Sequence, residues 1–404
     1  MTRAAGRGAW LVAALVALVF ARAARADDDD ARVAAALIAA LPADRATDVV
    51  LVDEPAVPDA PRVRAATRVG AAPAAIKDVL LDPARYHALI PALIRSDLHW
   101  ARGQVPVVAW ELEVPLFNLS GRMALVNRPD GVTFQLLDGD FAPGRLIFTV
   151  APNPDGGTTL LLDAQLDVKR SSWLLRRIIK RSPVGEPAVL AAAAYVALRA
   201  VALHAEHPTD RFARRPGAPI APPPAWAPDP APLLADAAVP LRARGILALV
   251  ARAPTDRLAG VAAAITVAAP APAVAARLRD PAVWRAFPGW AKVRVEPGPA
   301  GPGAVMEDDL PLVDCDATWT AVAGAEARWI ATVGATHGAR LGWTVAPAPG
   351  GAAVAALSLY PRIETTGSVG RKFVAAEPLL EHGLALALAF ADAAGVKAAF
   401  GTSH

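Results

Sequence analysis

Apolar and polar positions along this chain follow two periods, and the two appear in the same order twice. Arg62–Val69 alternates loosely and is predicted as a strand. Pro73 opens a helical segment through Leu81, with proline in its favoured first turn, and Asp82-Pro83 begins a further short turn. Period-two runs follow at Val105–Leu116, Leu119–Asn127, Val132–Leu137, Arg145–Val150 and Thr158–Val168. Turns between them, such as Arg128-Pro129-Asp130-Gly131, are short, so adjacent strands are predicted to pair antiparallel. A long Ala/Leu-rich helix from Pro187 to Glu206 closes the series.

The series then repeats. Asp82-Pro83-Ala84-Arg85-Tyr86 returns as Asp280-Pro281-Ala282-Val283-Trp284 at an offset of 198. Glu111 to Leu116 returns as Glu307 to Leu312 at 196, Phe148 to Pro154 as Trp343 to Pro349 at 195, and Glu186-Pro187 as Glu377-Pro378 at 191. Four ordered matches with drifting offsets indicate a duplicated unit with small deletions in the second copy. The segments are a leader at 1–26, a first domain at 31–206, a Pro-rich spacer at 207–240 and a second domain at 241–400. Leu37–Leu41 and Leu247–Val250, each followed by Pro and then Asp-Arg, suggest a short helix at each domain's entrance.

Alternation places Trp110, Leu112, Val114 and Leu116 on one face, with Leu146, Phe148 and Val150, and Leu160, Leu162, Ala164 and Leu166, on comparable faces of their own runs. A curved sheet wrapped around one long helix buries such faces economically, which makes the fold class α+β. The element order, the Asp-Pro after the first helices, the hairpin-rich middle and the terminal Ala/Leu helix resemble the START-like, helix-grip superfamily, which includes polyketide cyclase/dehydrase-like and coenzyme-Q-binding proteins. The resemblance covers nearly all of both copies. It implies an elongated hydrophobic cavity between sheet and C-terminal helix, holding a lipid, sterol, quinone or polyketide-like molecule. The expected cavity wall is Trp110, Leu112, Met123, Phe134, Leu146, Phe148 and Tyr195 in the first copy, and Met306, Trp319, Trp329 and Trp343 in the second. Under the repeat, Met123 meets Trp319, Phe134 meets Trp329, Phe148 meets Trp343, and Trp110 meets Met306.

Charge and motifs narrow the functions. Arg3 and Arg7, the apolar run Ala9–Phe20 and Ala24-Arg25-Ala26 form an export leader, giving a periplasmic or secreted destination. Four of the 41 basic residues leave with it, so the mature chain balances 37 basic against 38 acidic residues, and a nucleic-acid partner is not expected. Cys315 is the one cysteine and aligns with Leu119, a core position. No phosphate-binding loop, nucleophile elbow or paired metal-ligand motif occurs, so no cofactor or metal is expected. His204 and His207 fall at a helix end, and the carboxylates from Glu307 to Asp316 read as a solvated strand edge.

One segment has no full counterpart. Across Lys169–Arg181, Leu174, Leu175, Ile178 and Ile179 gather on one side of a helix and Arg176, Arg177, Lys180 and Arg181 on the other, with Trp173 at the polar edge. Such a basic amphipathic helix suits peripheral contact with an anionic membrane, and equally packing on its own domain. The sequence thus reads as an exported binding or transfer protein for a hydrophobic small molecule. A cyclase/dehydrase-type enzyme, with Arg145, Gln135, Tyr195 or Tyr360 as polar groups, and a non-ligand interaction module stand as alternatives.

Overall fold

The computed structural model describes residues 28–401 except 54–60, 91, 100–104, 115–116, 154–156, 182–184, 209–227, 255, 288–289, 300, 309–315, 325–326 and 363–378. Within that span the side chains of 114, 117, 174, 175, 178, 181, 290, 291, 306–308 and 401 are also outside the description. The leader, Cys315, Glu377-Pro378 and most of the Pro-rich spacer therefore lie outside the described residues.

The first half runs α1 (28–40), β1 (Thr47–Asp53), β2 (Arg62–Val69), α2 (Pro73–Leu81), α3 (Tyr86–Leu89), β3 (Leu93–His99), β4 (Val107–Val114), β5 (Phe117–Arg128), β6 (Gly131–Gly139), β7 (Phe141–Pro152), β8 (Thr158–Asp167), α4 (Trp173–Arg181) and α5 (Gly185–Glu206). The second runs α6 (Ala231–Leu234), α7 (Val239–Arg242), β9 (Gly245–Arg252), β10 (Leu258–Val267), α8 (Ala271–Leu278), β11 (Trp290–Gly298), β12 (Gly301–Asp308), β13 (Ala317–Ala321), β14 (Arg328–Gly334), β15 (Arg340–Pro347), β16 (Ala353–Tyr360) and α9 (Leu380–Gly401). Asp82 and Asp280 each accept a backbone N–H two residues on, so both Asp-Pro turns are capped alike.

These strands form one antiparallel sheet, ordered β11-β12-β13-β14-β15-β16-β10-β9-β1-β2-β8-β7-β6-β5-β4-β3. The halves meet where β1 pairs with β9, Val50 lying opposite Ala248. The repeat offset of 198 carries Val50 onto Ala248, so the seam sits on a pseudo-two-fold axis. Ladder register also upholds the repeat: Trp110 faces Gly121 and Met306 faces Ala317, while Phe134 faces Leu146 and Trp329 faces Leu341.

The expected entrance helices need correction. Leu247–Val250 belongs to β9, and its counterpart in space is β1, not the helix containing Leu37. Both strands are buried almost throughout, because the middle of the sheet is covered on both faces. A strand covered on both sides loses its alternation and reads as a plain apolar run.

On the inner face, α5 packs on β2 and β8, α9 on β10, β16 and β9, and the two helices pack on each other. Gly383 of α9 makes the crossing close: a Cβ there would lie 3.3 Å from Ala192 Cβ and from Val196 of α5. Both helices have the length and hydropathy of a membrane span; here they are the rods the sheet clasps. On the outer face, Val33 and Leu37 of α1, with Leu41, Leu233 and Leu241, cover Val49, Leu51, Leu247 and Leu249. Buried Arg64 anchors α1, donating to Asp53 at 2.6 Å and Asp30 at 2.7 Å, while Arg244 reaches Asp29 at 2.8 Å. Burial pushes the Asp53 carboxyl up despite its arginine neighbours.

Candidate functional site

In the first half, the long helix rests near the seam while the sheet continues outward through β7 to β3. Residues directly opposite across a ladder share a face, so the inner face of these outer strands can be read from register. Val108, Trp110 and Leu112 on β4 lie beside Leu93, Ser96 and Leu98 on β3, and beside Leu119, Gly121 and Met123 on β5. Phe134 on β6 and Leu146 and Phe148 on β7 continue the surface. Gly121 has a physical reason to lack a side chain: a Cβ there would lie 2.5 Å from the Asp138 carbonyl oxygen and 3.1 Å from the Trp110 indole. Tyr86 meets Phe134 and Phe134 meets Phe148 edge to face, at 6.1 and 5.5 Å between centroids.

This surface is unevenly covered. Trp110, Phe134 and Phe148 are buried, whereas Leu112, Met123 and Leu146 are half-buried and Leu98 is 45% exposed. In the second half, Trp319 and Leu341, the counterparts of Met123 and Leu146, are 3% exposed. Trp284 stands edge to face with Trp329 at 4.9 Å and Trp319 at 6.0 Å, and Trp343 meets Phe287 at 6.0 Å. A ring cluster thus takes up the interior that the sequence reading gave to a ligand in that half. The side chain of Met306 lies outside the described residues. Another cleft, about 300 Å³, lies elsewhere, bordered by Arg242, Thr266, Pro349 and Lys397.

Tyr195 belongs to a different structure. Its hydroxyl donates to Asp48 Oδ2 at 2.7 Å, inside a buried polar cluster where α5 and α9 cross the seam. Arg252 reaches Asp48 at 3.1 Å and Asp256 at 2.6 Å; Arg199 reaches Asp256 at 3.1 Å and Thr67 at 3.3 Å. Arg257 holds Glu381 at 2.9 Å. His382 stacks on Tyr195 at 6.0 Å, is 1% exposed, and neither ring nitrogen has a hydrogen-bond partner. Burial, with Arg199 and Arg252 nearby, pushes His382 down to about 3, so the ring is neutral. Burial beside Asp48 raises Tyr195, keeping its proton in place.

Of the other polar candidates for catalysis, Arg145 and Gln135 alternate with Leu146 and Phe134 and so project from the outer face. Gln135 is engaged with the Gly144 carbonyl at 2.9 Å. The inner face of the described strands β3 to β8 carries no ionisable side chain. No cluster of three metal-ligating side chains occurs among the described residues.

α4 forms as the amphipathic pattern predicts. Trp173 is 59% exposed, Arg176, Arg177 and Lys180 are exposed, and Ile179 packs on the core. The side chains of Leu174, Leu175, Ile178 and Arg181 lie outside the description.

Strand order and clasped helix define each half as a helix-grip α+β unit, an antiparallel sheet holding one long helix, and the chain as a tandem pair of such units. No protein-family model matches the chain, and no curated protein matches it in sequence. Among solved structures it is similar to the di-domain ARO/CYC StfQ from the steffimycin biosynthetic pathway, at 13% identity over 81% of this chain and 98% of that one, TM-score 0.26. The di-domain ARO/CYC BexL gives 14% identity over 82% and 98%, TM-score 0.27. A STAR-related lipid transfer protein from Xanthomonas axonopodis gives 17% over 41% and 96%, TM-score 0.28.

Proposed function

We propose that this chain is an exported binding or transfer protein whose first half holds a hydrophobic small molecule against the inner face of β3 to β7. One observation carries the reading. Leu112, Met123 and Leu146 keep exposed surface on the face that should be the driest in the half, and the second half covers the equivalents of Met123 and Leu146 with its own side chains. Leaving apolar area open costs about 25 cal/mol per Å², so a bound apolar body that covers it is stabilised by the same amount. A cyclase or dehydrase would need an acid or base at that surface, and the described inner strands supply none. Binding is therefore preferred over catalysis, and the second half acts as the closed partner of the first.

Mass spectrometry of an organic extract of the full chain, purified from its native host, tests the reading. An apolar molecule should co-purify. Met123→Trp, which installs the residue the second half uses, should abolish co-purification while leaving the fold intact. Full-length protein that carries no such molecule and binds no hydrophobic dye would overturn the reading. Export is tested by N-terminal sequencing of periplasmic protein, which should begin at Asp27.

A further inference from the structure

Two polar atoms stand in the first-half shell without partners. The Trp110 indole N–H and the Ser96 hydroxyl are each buried, and neither makes a hydrogen bond. Trp110 and Ser96 lie directly opposite each other on β4 and β3, on the shell's inner face. The second half has Met306 opposite Val293 at the same place. An apolar pair therefore satisfies this ladder position, and packing alone does not call for the polar one.

The indole groups of the second half differ in their surroundings. Trp284, Trp319, Trp329 and Trp343 also lack a conventional acceptor, but each meets another ring edge to face, where an N–H can rest on a π surface. Trp110 has no ring neighbour among the described residues. Its neighbours on the sheet are Gly121, over which the indole lies, and the half-buried Leu112.

We infer that Ser96 and Trp110 form the polar anchor of the first-half site, and that the ligand is an apolar molecule bearing a neutral oxygen, a carbonyl or hydroxyl, at the end lodged between β3 and β4. This rests on the binding reading above and names the class of ligand. Ser96 and Trp110 are cross-strand partners there, so the site offers two unpartnered donors, the indole N–H and the serine O–H, and the serine oxygen can also accept. An oxygen acceptor satisfies both donors, whereas a hydrocarbon leaves them orphaned. A carboxylate fits poorly, since no cation faces the shell from the inner strands to offset its desolvation.

The test uses the full chain and a matched pair of probes, dodecan-2-one and dodecane, each displacing a bound hydrophobic dye. The ketone should bind about tenfold more tightly than the alkane, the worth of a buried hydrogen bond. Trp110→Phe with Ser96→Ala should reduce that ratio to below about threefold, the ketone losing more affinity than the alkane. If both probes bind equally to the parent chain, a water fills the position or the donors do not face the ligand, and the anchor falls while the binding site stands. If neither probe binds nor displaces dye, the binding reading itself falls.

Discussion

The Tyr195 hydroxyl donates to Asp48 Oδ2 at 2.7 Å, joining the long helix of the first half to the strand that forms the seam. Asp48 is fully buried between Tyr195, Arg252 and the neighbourhood of Arg199, so its oxygens have no water to turn to. Tyr195→Phe should cost about 1–3 kcal/mol, the penalty for leaving a buried acceptor short of a donor. Asp48→Leu should cost about 3–5 kcal/mol, because it removes one of the two carboxylates that offset the buried Arg252 and Arg199 guanidinium groups and leaves Asp256 to serve both. Urea unfolding measures both; an Asp48→Leu midpoint equal to that of the parent would remove the seam cluster from any role in stability.

His382 gives the fold a pH dependence of defined sign. Its folded value near 3 lies below the ordinary 6.5, so between those values the unfolded chain binds a proton that the native ring refuses. The stabilisation is therefore complete above pH 6.5 and fades as pH falls toward 3. At pH 5 the loss from this group should be about 2 kcal/mol. Comparing urea midpoints at pH 7 and pH 5, His382→Leu should lose less stability than the parent; an identical loss would show that other groups set the slope.

Gly383 decides how closely the two rods approach. An added Cβ would meet Ala192 at 3.3 Å, a contact a small shift can absorb. Gly383→Ala should be near neutral, since the helix propensity gained, about 1 kcal/mol, offsets the crowding. Gly383→Leu should cost about 1–3 kcal/mol by forcing α5 and α9 apart. Thermal unfolding of the two variants should separate them clearly, and a tolerated leucine would mean the crossing is loose.

The exposed basic residues of α4 lead to a surface prediction. Arg176→Glu, Arg177→Glu and Lys180→Glu together should reduce co-sedimentation with vesicles containing anionic lipid, and added salt should do the same to the parent chain. Binding unchanged by the triple substitution would leave α4 as a helix that packs on its own half.

Much of this architecture was legible because its signals are periodic. The outer strands alternate since one face is wet, and the repeat is visible because Tyr86 and Trp284, or Phe134 and Trp329, fill equivalent places with large rings. β1 and β9 were missed for the opposite reason: both faces are dry, and Val49-Val50-Leu51-Val52 shows no period. β3 was missed because its residues are mostly exposed and polar, and Ser96 was missed with it. The seam cluster did leave a trace. Arg199 and the Glu381-His382 pair interrupt helices that are otherwise Ala and Leu, and a charge inside an apolar rod calls for a buried partner. Pairing of Asp48 with Arg199 could not be read, since it depends on a strand the pattern concealed.

Because β1 finds its neighbour inside the same chain, among the described strands the ladder has raw borders only at β3 and β11. Nicking the backbone between 209 and 227 should therefore leave two pieces still zipped together. Either piece made alone would present a long, apolar, uncapped margin at what used to be its middle, the kind of margin that recruits strangers. Fusing the copies gave each half a permanent lining for its most adhesive side.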